Sequence, residues 1–255
     1  MRFLVRTAAW MSALILFAGG TAFAQEPEAT EEEYTQVVGT HPQDPWERYN
    51  RAVFTFNETV DRYTLKPVAR AYRAVMPDIG ERAVSNFFSN LSEPRNLINN
   101  ILQGKGEAAL ITTARFLFNT TFGLGGLIDV ATSFDLPKQD EDFGQTLGAW
   151  GVDSGPFLML PFLGPSTVRD AGGFAVDVAT PSLRDEFESP EKYYLLGLKA
   201  VEVRARLLPL ESAMTQGDRY WLIRTAYLQQ REYQVRDGQV DDPFTDDDEL
   251  MLDDF

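Results

Sequence analysis

The chain has 255 residues and a formal net charge of −15, with 44% hydrophobic residues, one histidine and no cysteine. This composition excludes a disordered protein and allows one sizeable domain or two small ones. Nucleic acid is excluded as a partner, because phosphate backbones are bound by clustered Lys and Arg, which this chain lacks. Without cysteine, the chain can form neither a disulfide nor a Cys/His metal site.

The two ends of the chain account for most of the net negative charge. Five glutamates lie between residues 25 and 43, and eight acidic residues lie between residues 241 and 255. We expect residues 25–43 to form an acidic, flexible leash and residues 239–255 an acidic, disordered tail. The body between them is nearly neutral.

The first 24 residues have the pattern of a cleaved signal peptide. Arg2 and Arg6 form a basic start, residues 8–17 are apolar, and Ala22 and Ala24 flank Phe23 as in a small-x-small cleavage site. We expect export to a bacterial periplasm, with a mature protein that begins near Gln25.

Helical spacing dominates the first half of the body. Asp44 is expected to cap a helix that continues through Glu47, and Pro67 is expected to open a second helix that ends before Pro77. A third helix should stop before Pro94 and be followed by a short one that ends at Gly104. Residues 107–121 predict a more apolar helix, in which Arg115 and Asn119, four residues apart, form a polar line.

The second half of the body is also helical, apart from a segment rich in glycine and proline. Ser166 or Thr167 is expected to cap a helix that runs toward Pro181, and Ser189 a long helix to about residue 208. Asp218 is expected to cap the last helix, which should end at Gly238. Because no apolar residues alternate with period two, we predict an all-α fold of about nine or ten helices without a significant β-sheet.

The glycine-rich segment is the most unusual part of the sequence. Glycines 144 and 148, and 151 and 155, are four residues apart, a spacing that lets helix backbones approach closely. The apolar ribbon, defined as residues 157–163, follows Pro156 and is interrupted by Pro161. The ribbon is either an irregular buried core segment or an apolar surface that holds a lipid-like ligand.

The sequence offers little for catalysis. His41 lies in the expected leash, and Ser154 lies outside a G-x-S-x-G nucleophile motif and has no histidine to serve it. We therefore predict a protein that is not an enzyme and has no metal or cofactor. Arg169 and Asp170 directly follow the ribbon, and they either stabilise the start of a helix or meet a phospholipid headgroup at the rim of an apolar passage.

Many short motifs occur in the order found in the MlaA (VacJ) family, which the sequence resembles over roughly residues 43–237. The motif residues include Asp44, Pro45, Tyr49, Asn50, Phe56, Asn57, Lys66, Pro67, Asn90, Glu93, Pro94, Asn99, Arg115, Asn119, Asp129, Thr146, Gly148, Trp150, Gly151, Gly155, Pro156, Leu160, Pro161, Gly164, Arg169, Asp170, Gly172 and Gly173.

The resemblance implies an outer-membrane protein of retrograde phospholipid transport. Residues 44–238 would form a ring-like, all-α domain in the inner leaflet, with a central amphipathic channel that removes phospholipids mislocalised to the outer leaflet. A periplasmic lipid-carrier protein would receive them, and a trimeric porin would bind the ring. The expected channel residues are Gly144, Gly148, Gly151, Gly155, Pro156, Phe157, Leu158, Met159, Leu160, Pro161, Phe162, Leu163, Gly164, Arg169 and Asp170.

The sequence departs from this family at one point and leaves other functions open. Many members carry a lipidated cysteine after the leader, and this chain has none, so the folded protein itself or a partner must hold it at the membrane. A non-conducting envelope scaffold or adaptor would have a similar composition, and a lipid hydrolase is a third possibility that lacks a nucleophile–base pair. Phospholipid that co-purifies with the protein would separate the first two.

Overall fold

The structure, a computed structural model, describes residues 43–180, 191–213 and 217–239. The expected signal peptide, nearly all of the leash, and the tail beyond residue 239 lie outside these ranges. The described residues contain helices and one small sheet, which in chain order are α1 Glu47–Tyr63, α2 Leu65–Val75, α3 Asp78–Leu102, α4 Gly106–Thr121, a 3-10 helix Ala131–Phe134, α5 Phe143–Ala149, β1 Phe157–Leu160, β2 Gly164–Thr167, α6 Val168–Ala179, α7 Glu191–Ala213 and α8 Arg219–Val235.

Helices pack in pairs along the chain. α3 packs against α4, α2 against α7, and α5 against α6, while α1 lies beside β1 and α8 contacts α5 and β2. Within the described ranges, no helix has both the length and the apolar composition needed to cross a membrane. The mainly helical fold that the sequence predicts is confirmed, with eight α-helices and one 3-10 helix in these ranges.

The α3–α4 pair is polar inside and apolar outside. Its buried residues include Asn96 and Asn100 on α3 and Thr112 on α4, each 0% exposed. On the outside, Ile101 is 61% exposed and Leu110 is 73% exposed. Water-soluble helices place their apolar stripe toward the protein core, so this pair has the opposite arrangement.

Arg115 is the centre of the polar interior. Its guanidinium donates to Glu93 Oε1 at 3.2 Å, to both carboxylate oxygens of Asp129 at 3.0–3.1 Å, and to the Leu136 carbonyl at 2.5 Å. Asn119 donates to Asp129 from one turn further along α4. The predicted polar line is confirmed, and it faces inward because its hydrogen-bond partners lie on α3 and on the segment around the 3-10 helix.

Two predicted helix boundaries in the first half of the body are wrong. Asp44 does not cap α1, which begins at Glu47. The Asp44 carboxylate is 0% exposed and instead accepts hydrogen bonds from Asn50, Arg224 and the Tyr220 hydroxyl. An aspartate before a helix predicts a cap only if the carboxylate has no stronger donors, and here tertiary contacts supply them.

Pro94 does not end a helix either. It lies inside α3, which is one continuous helix of 25 residues rather than the two that the sequence predicts. A proline costs a helix one backbone hydrogen bond and usually bends it. α3 accommodates that cost because its inner face packs along α4 and is tied to it by Asn100, whose amide donates to Thr112.

The described residues contain one small two-stranded sheet, in line with the predicted absence of a significant sheet, but the sequence did not predict that the ribbon forms part of this hairpin. β1 and β2 are antiparallel, with Phe157 opposite Thr167 and Leu160 opposite Gly164. At the turn, Phe162 has a φ of 63°, which is uncommon for a residue other than glycine. The strand pattern escapes a period-two search because each strand has only four residues.

Helix α1 completes the hydrogen bonding of β1 with two asparagine side chains. Asn50 accepts from the Met159 amide at 2.8 Å and donates to the Phe157 carbonyl at 3.1 Å. Seven residues on, Asn57 accepts from the Phe162 amide at 2.8 Å and donates to the Leu160 carbonyl at 3.0 Å. The two amides therefore replace a third strand along this edge.

Two helix starts are confirmed. Thr167 caps α6 by accepting a hydrogen bond from the Asp170 amide, and Asp218 caps α8 by accepting from the amides of Tyr220 and Trp221. Gly238 follows α8 with a φ of 82°, as predicted for a residue beyond a helix C-terminus.

Helices α5 and α6 pack closely at glycines, and two glycine-to-alanine substitutions in α6 test this contact. A Cβ on Gly173 would lie 2.4 Å from the Gly144 backbone nitrogen, whereas a Cβ on Gly172 would meet nothing within 4 Å. We expect Gly173→Ala to destabilise the protein by about 1–3 kcal/mol, because the two helices would have to separate. Gly172→Ala should instead stabilise it by about 0.5–1 kcal/mol through helix propensity.

Urea unfolding of both variants measures these changes. Equal effects of the two substitutions would show that α5 and α6 are not held at the distance described here.

Candidate functional site

A cavity of about 350 Å³ lies between α1, the start of α2, the hairpin, α7 and α8. Most of its wall is apolar, and the residues that form this part are Phe54, Val60, Leu65, Met159, Phe162, Pro165, Val203, Leu207, Leu210, Ile223, Ala226 and Tyr227. A concave, mainly apolar wall with a few polar groups is typical of small-molecule and lipid sites.

The polar part of the wall is a chain of ion pairs. Arg204 binds Asp61 through two hydrogen bonds of 2.7 and 2.8 Å and binds Glu211 at 2.7 Å. Lys66 binds the other oxygen of Glu211 at 2.6 Å. Burial alone would raise the pKa of Glu211, but hydrogen bonds from Arg204 and Lys66 outweigh it and lower the pKa to about 2.

A third cation extends this chain of ion pairs. Arg219, the first residue of α8, binds Glu58 at 2.5 Å and lies 4.0 Å from Glu211. Four cations and three carboxylates line the cavity in total, the fourth cation being Arg62. The site can therefore present an apolar wall and a charged wall to the same ligand.

Three of the predicted channel residues, Met159, Phe162 and Gly164, line this cavity. The side chain of Phe157 lies in the core instead, with its ring edge-on to Tyr220 and Tyr227. In the remainder of the ribbon, Leu158, Leu160 and Leu163 are half-buried, and Pro161 is exposed at the turn.

The predicted glycines have other roles in the structure. Gly144 and Gly148 lie in α5, where an added Cβ would approach Arg231 at 2.7 Å or Val235 at 2.8 Å. Gly151 and Gly155 have φ values of 86° and 66° in the loop before β1, where a side chain would be strained. Pro156 ends that loop, and its carbonyl accepts from the Val168 amide.

Arg169 and Asp170 belong to a buried ion cluster that joins α5, α6 and α8. Asp170 accepts hydrogen bonds from Arg169 at 3.0 Å, from Arg231 at 2.9 and 3.0 Å, and from the Tyr227 hydroxyl at 2.7 Å. Arg231 also binds both oxygens of Asp142. The charges of Arg169 and Asp170 are thus compensated within the protein, and neither residue lines the cavity.

The ion cluster predicts acid-sensitive stability. Burial would raise the pKa of Asp170, but the charge and hydrogen bonds of Arg231, together with Arg169 and Tyr227, lower it below its usual value. A lowered pKa stabilises the fold above the unfolded-state pKa of about 3.9, and this contribution disappears as the pH falls through the folded-state pKa.

We therefore expect Asp170→Asn to cost about 3 kcal/mol at neutral pH and to reduce the acid dependence of unfolding. Urea unfolding between about pH 3 and pH 7 measures both, with the exposed Asp153→Asn as control. A variant that loses stability equally at all pH values would contradict the assigned role of the Asp170 charge.

The sequence analysis did not predict the charged wall of the cavity. Lys66, Arg204, Glu211 and Arg219 come from three separate helices, and no local motif connects them. One signal was available, because Arg204 and Glu211 are seven residues apart and therefore share a helix face. The same spacing relates Asn50 and Asn57, which bind the hairpin.

Comparison with known proteins gives consistent matches. The family model described as MlaA lipoprotein matches residues 42–234. The proteins called intermembrane phospholipid transport system lipoprotein MlaA in Shigella flexneri and Escherichia coli K12 are each 37% identical over 202 residues, which is 77% of this chain and 80% of theirs. The protein of that name in Haemophilus influenzae is 34% identical over 77% of this chain and 81% of its own.

A solved structure also matches. It was reported under the description "Structural basis for maintenance of bacterial outer membrane lipid asymmetry". Its TM-score against this chain is 0.67 at 38% identity, with 75% of this chain and 98% of that one covered.

Proposed function

The chain belongs to the MlaA family, and we propose that it is the outer-membrane component of a retrograde phospholipid transport system. In this proposal the protein lies in the inner leaflet of the outer membrane as a ring-like domain. It removes phospholipids mislocalised to the outer leaflet through an amphipathic channel and passes them to a periplasmic lipid-carrier protein, with a trimeric porin as membrane partner. The net result is maintenance of outer-membrane lipid asymmetry.

The observation that carries this proposal is the cavity with one apolar and one charged wall. A phospholipid has acyl chains that favour apolar contacts and a phosphate that requires cationic or hydrogen-bonding partners. Met159 and Phe162 present apolar surface on the hairpin side, while Lys66 and Arg204 belong to the charged wall. We assign the cavity to the lipid pathway, with these residues rather than the whole ribbon as its lining.

The α3–α4 pair supports a position in the membrane. Its inward polar network satisfies Arg115, Asn119 and Asp129, and its outward face carries exposed aliphatic residues such as Leu110 and Ile101. Aliphatic side chains on the outside are costly in water and favourable in acyl chains. At a rise of about 1.5 Å per residue, α4 spans about 24 Å, less than the roughly 30 Å hydrocarbon core.

This position predicts salt-resistant attachment. We expect the mature protein to sediment with outer membranes and to stay there in a high-salt wash, because ions do not screen the burial of apolar surface. Membrane fractionation with immunoblotting measures it, and alkaline carbonate and detergent washes serve as references. Release by salt alone would show that charge, or a loosely bound partner, holds the protein at the membrane.

Outer-leaflet phospholipid is the direct readout of the proposed function. Cells that lack the native gene should accumulate phospholipid in the outer leaflet, and expression of this chain should remove it. The purified protein should carry stoichiometric phospholipid. A scaffold or adaptor would restore partner assembly without bound lipid, so the absence of co-purified phospholipid together with normal assembly would favour that alternative.

A further inference from the structure

The charged wall of the cavity has more hydrogen-bond donors than the protein itself uses. Each of its three carboxylates is matched: Asp61 by Arg204, Glu211 by Arg204 and Lys66, and Glu58 by Arg219. The spare capacity therefore lies with the cations, and an added ligand group at this wall must be an acceptor.

Two arginines provide this capacity. The Nε atom of Arg219 is buried and has no acceptor among the described residues, and a ligand oxygen in the cavity can reach it once the guanidinium turns toward the cavity. Arg62, in the last turn of α1, is exposed at the cavity and has no ion pair or hydrogen bond with any described residue. A buried donor without an acceptor is costly, and a planar guanidinium matches the geometry of phosphate oxygens.

We propose that Arg62 and Arg219 form a phosphate site that recognises the phosphodiester common to glycerophospholipids. This inference rests on the proposed function. The seven charged groups of the cavity sum to one positive charge, which the single negative charge of a phosphodiester neutralises. A glycerolipid without phosphate, such as diacylglycerol, would leave this charge and the Arg219 Nε donor without a partner.

The same wall does not distinguish between phospholipid headgroups. A headgroup amine or hydroxyl would have to bind a carboxylate that already forms a salt bridge with Lys66, Arg204 or Arg219, so its charge is already compensated and a second donor adds little. The site therefore selects phospholipid as a class and treats ethanolamine and glycerol headgroups alike. Arg62 also has a structural role, because a cation near the C-terminus of a helix such as α1 interacts favourably with the helix dipole. That role predicts no lipid selectivity.

Titration calorimetry of the purified full chain with short-chain lipids tests the proposal. The probes are dioctanoyl phosphatidylethanolamine, dioctanoyl phosphatidylglycerol, dioctanoylglycerol and inorganic phosphate. We expect the two phospholipids to bind within about threefold of each other and dioctanoylglycerol to bind at least about tenfold more weakly. Inorganic phosphate should compete with the phospholipids only when it is in large excess, because it shares their phosphate group but lacks the acyl chains that fill the apolar wall.

Variants locate the site. Arg62→Gln and Arg219→Gln should each weaken phospholipid binding about tenfold and leave dioctanoylglycerol binding unchanged. Arg48→Gln is the matched control, since Arg48 is an exposed arginine on the same helix and does not line the cavity. Arg62→Gln removes no contact within the described protein, so the test does not depend on whether Arg219→Gln folds.

Two results would overturn the proposal: equal binding of dioctanoylglycerol and phospholipid by the unmodified protein, or retained selectivity in Arg62→Gln. If the protein binds lipids without this selectivity and still clears outer-leaflet phospholipid in cells, only the phosphate site is wrong. If it binds no lipid and clears none, the proposed transport function is wrong as well.

Discussion

Filling the cavity with Ala226→Trp is expected to abolish phospholipid clearance while leaving the fold intact. Ala226 lies on α8 and lines the cavity, so a large side chain there occupies the space assigned to acyl chains. Because it fills open space, the substitution should leave the free energy of unfolding within about 1 kcal/mol of the unmodified protein or raise it. Clearance should fall to the level of cells without the gene.

The measurement combines outer-leaflet phospholipid in complemented cells with urea unfolding of the purified variant. Ala52→Trp is the matched control, because Ala52 is an exposed alanine on α1 that does not line the cavity. A stable Ala226→Trp protein with full clearance would remove the cavity from the lipid pathway. The transport function could then still hold through another passage.

Arg115→Met is expected to cause the largest loss of stability, about 3–5 kcal/mol, because it removes the cation from a buried network. Arg115 is 1% exposed, and its partner Glu93 is also 1% exposed. Burial already raises the pKa of Glu93, and the hydrogen bond from Arg115 opposes that rise. Without Arg115 the Glu93 carboxylate would be buried without a counter-ion and would take up a proton.

Addition of Glu93→Gln to Arg115→Met should recover part of this loss, since it removes the uncompensated carboxylate. Arg82→Met, at an exposed position of α3, is the control and should change stability by no more than about 0.5 kcal/mol. Chemical unfolding followed by circular dichroism measures all three variants. A loss below about 1 kcal/mol in Arg115→Met would mean that water reaches the α3–α4 interface and solvates Glu93.

The inverted α3–α4 pair shows the limit of reading amphipathicity from sequence. The spacing of Arg115 and Asn119 correctly predicts a polar line on α4, but spacing is the same whether that line faces water or the protein interior. The direction is decided by the partners, because Glu93 and Asp129 supply acceptors only after α3 and the segment before the 3-10 helix come together. This inversion supports the proposed membrane position, and it emerges only from the tertiary structure.

The ribbon likewise combines features that follow from its own sequence with features that depend on distant residues. Its apolar composition and its glycine and proline boundaries allow either a buried core segment or an apolar surface for a lipid-like ligand, and they do not predict a hairpin. β1 has only four residues, and its outer edge is completed by Asn50 and Asn57 of α1, about 100 residues earlier in the chain. Side chains that replace a strand leave no local signal, so the division of the ribbon into the buried Phe157 and the cavity-lining Met159 and Phe162 could not be predicted.

The sequence by itself determined the features that depend on neighbouring residues. These are the helical fold, a cap at Ser166 or Thr167, the cap at Asp218, the close approach at Gly144 and the motifs that identify the family. Local hydrogen bonds and backbone sterics act over a few residues, so a linear pattern is enough to predict them. The tertiary structure alone decided the role of Asp44, the ion pairs of the cavity and the orientation of the polar helices. In each of these, a charge or an amide finds its partner on a distant element, and the free energy of that pairing outweighs the local preference.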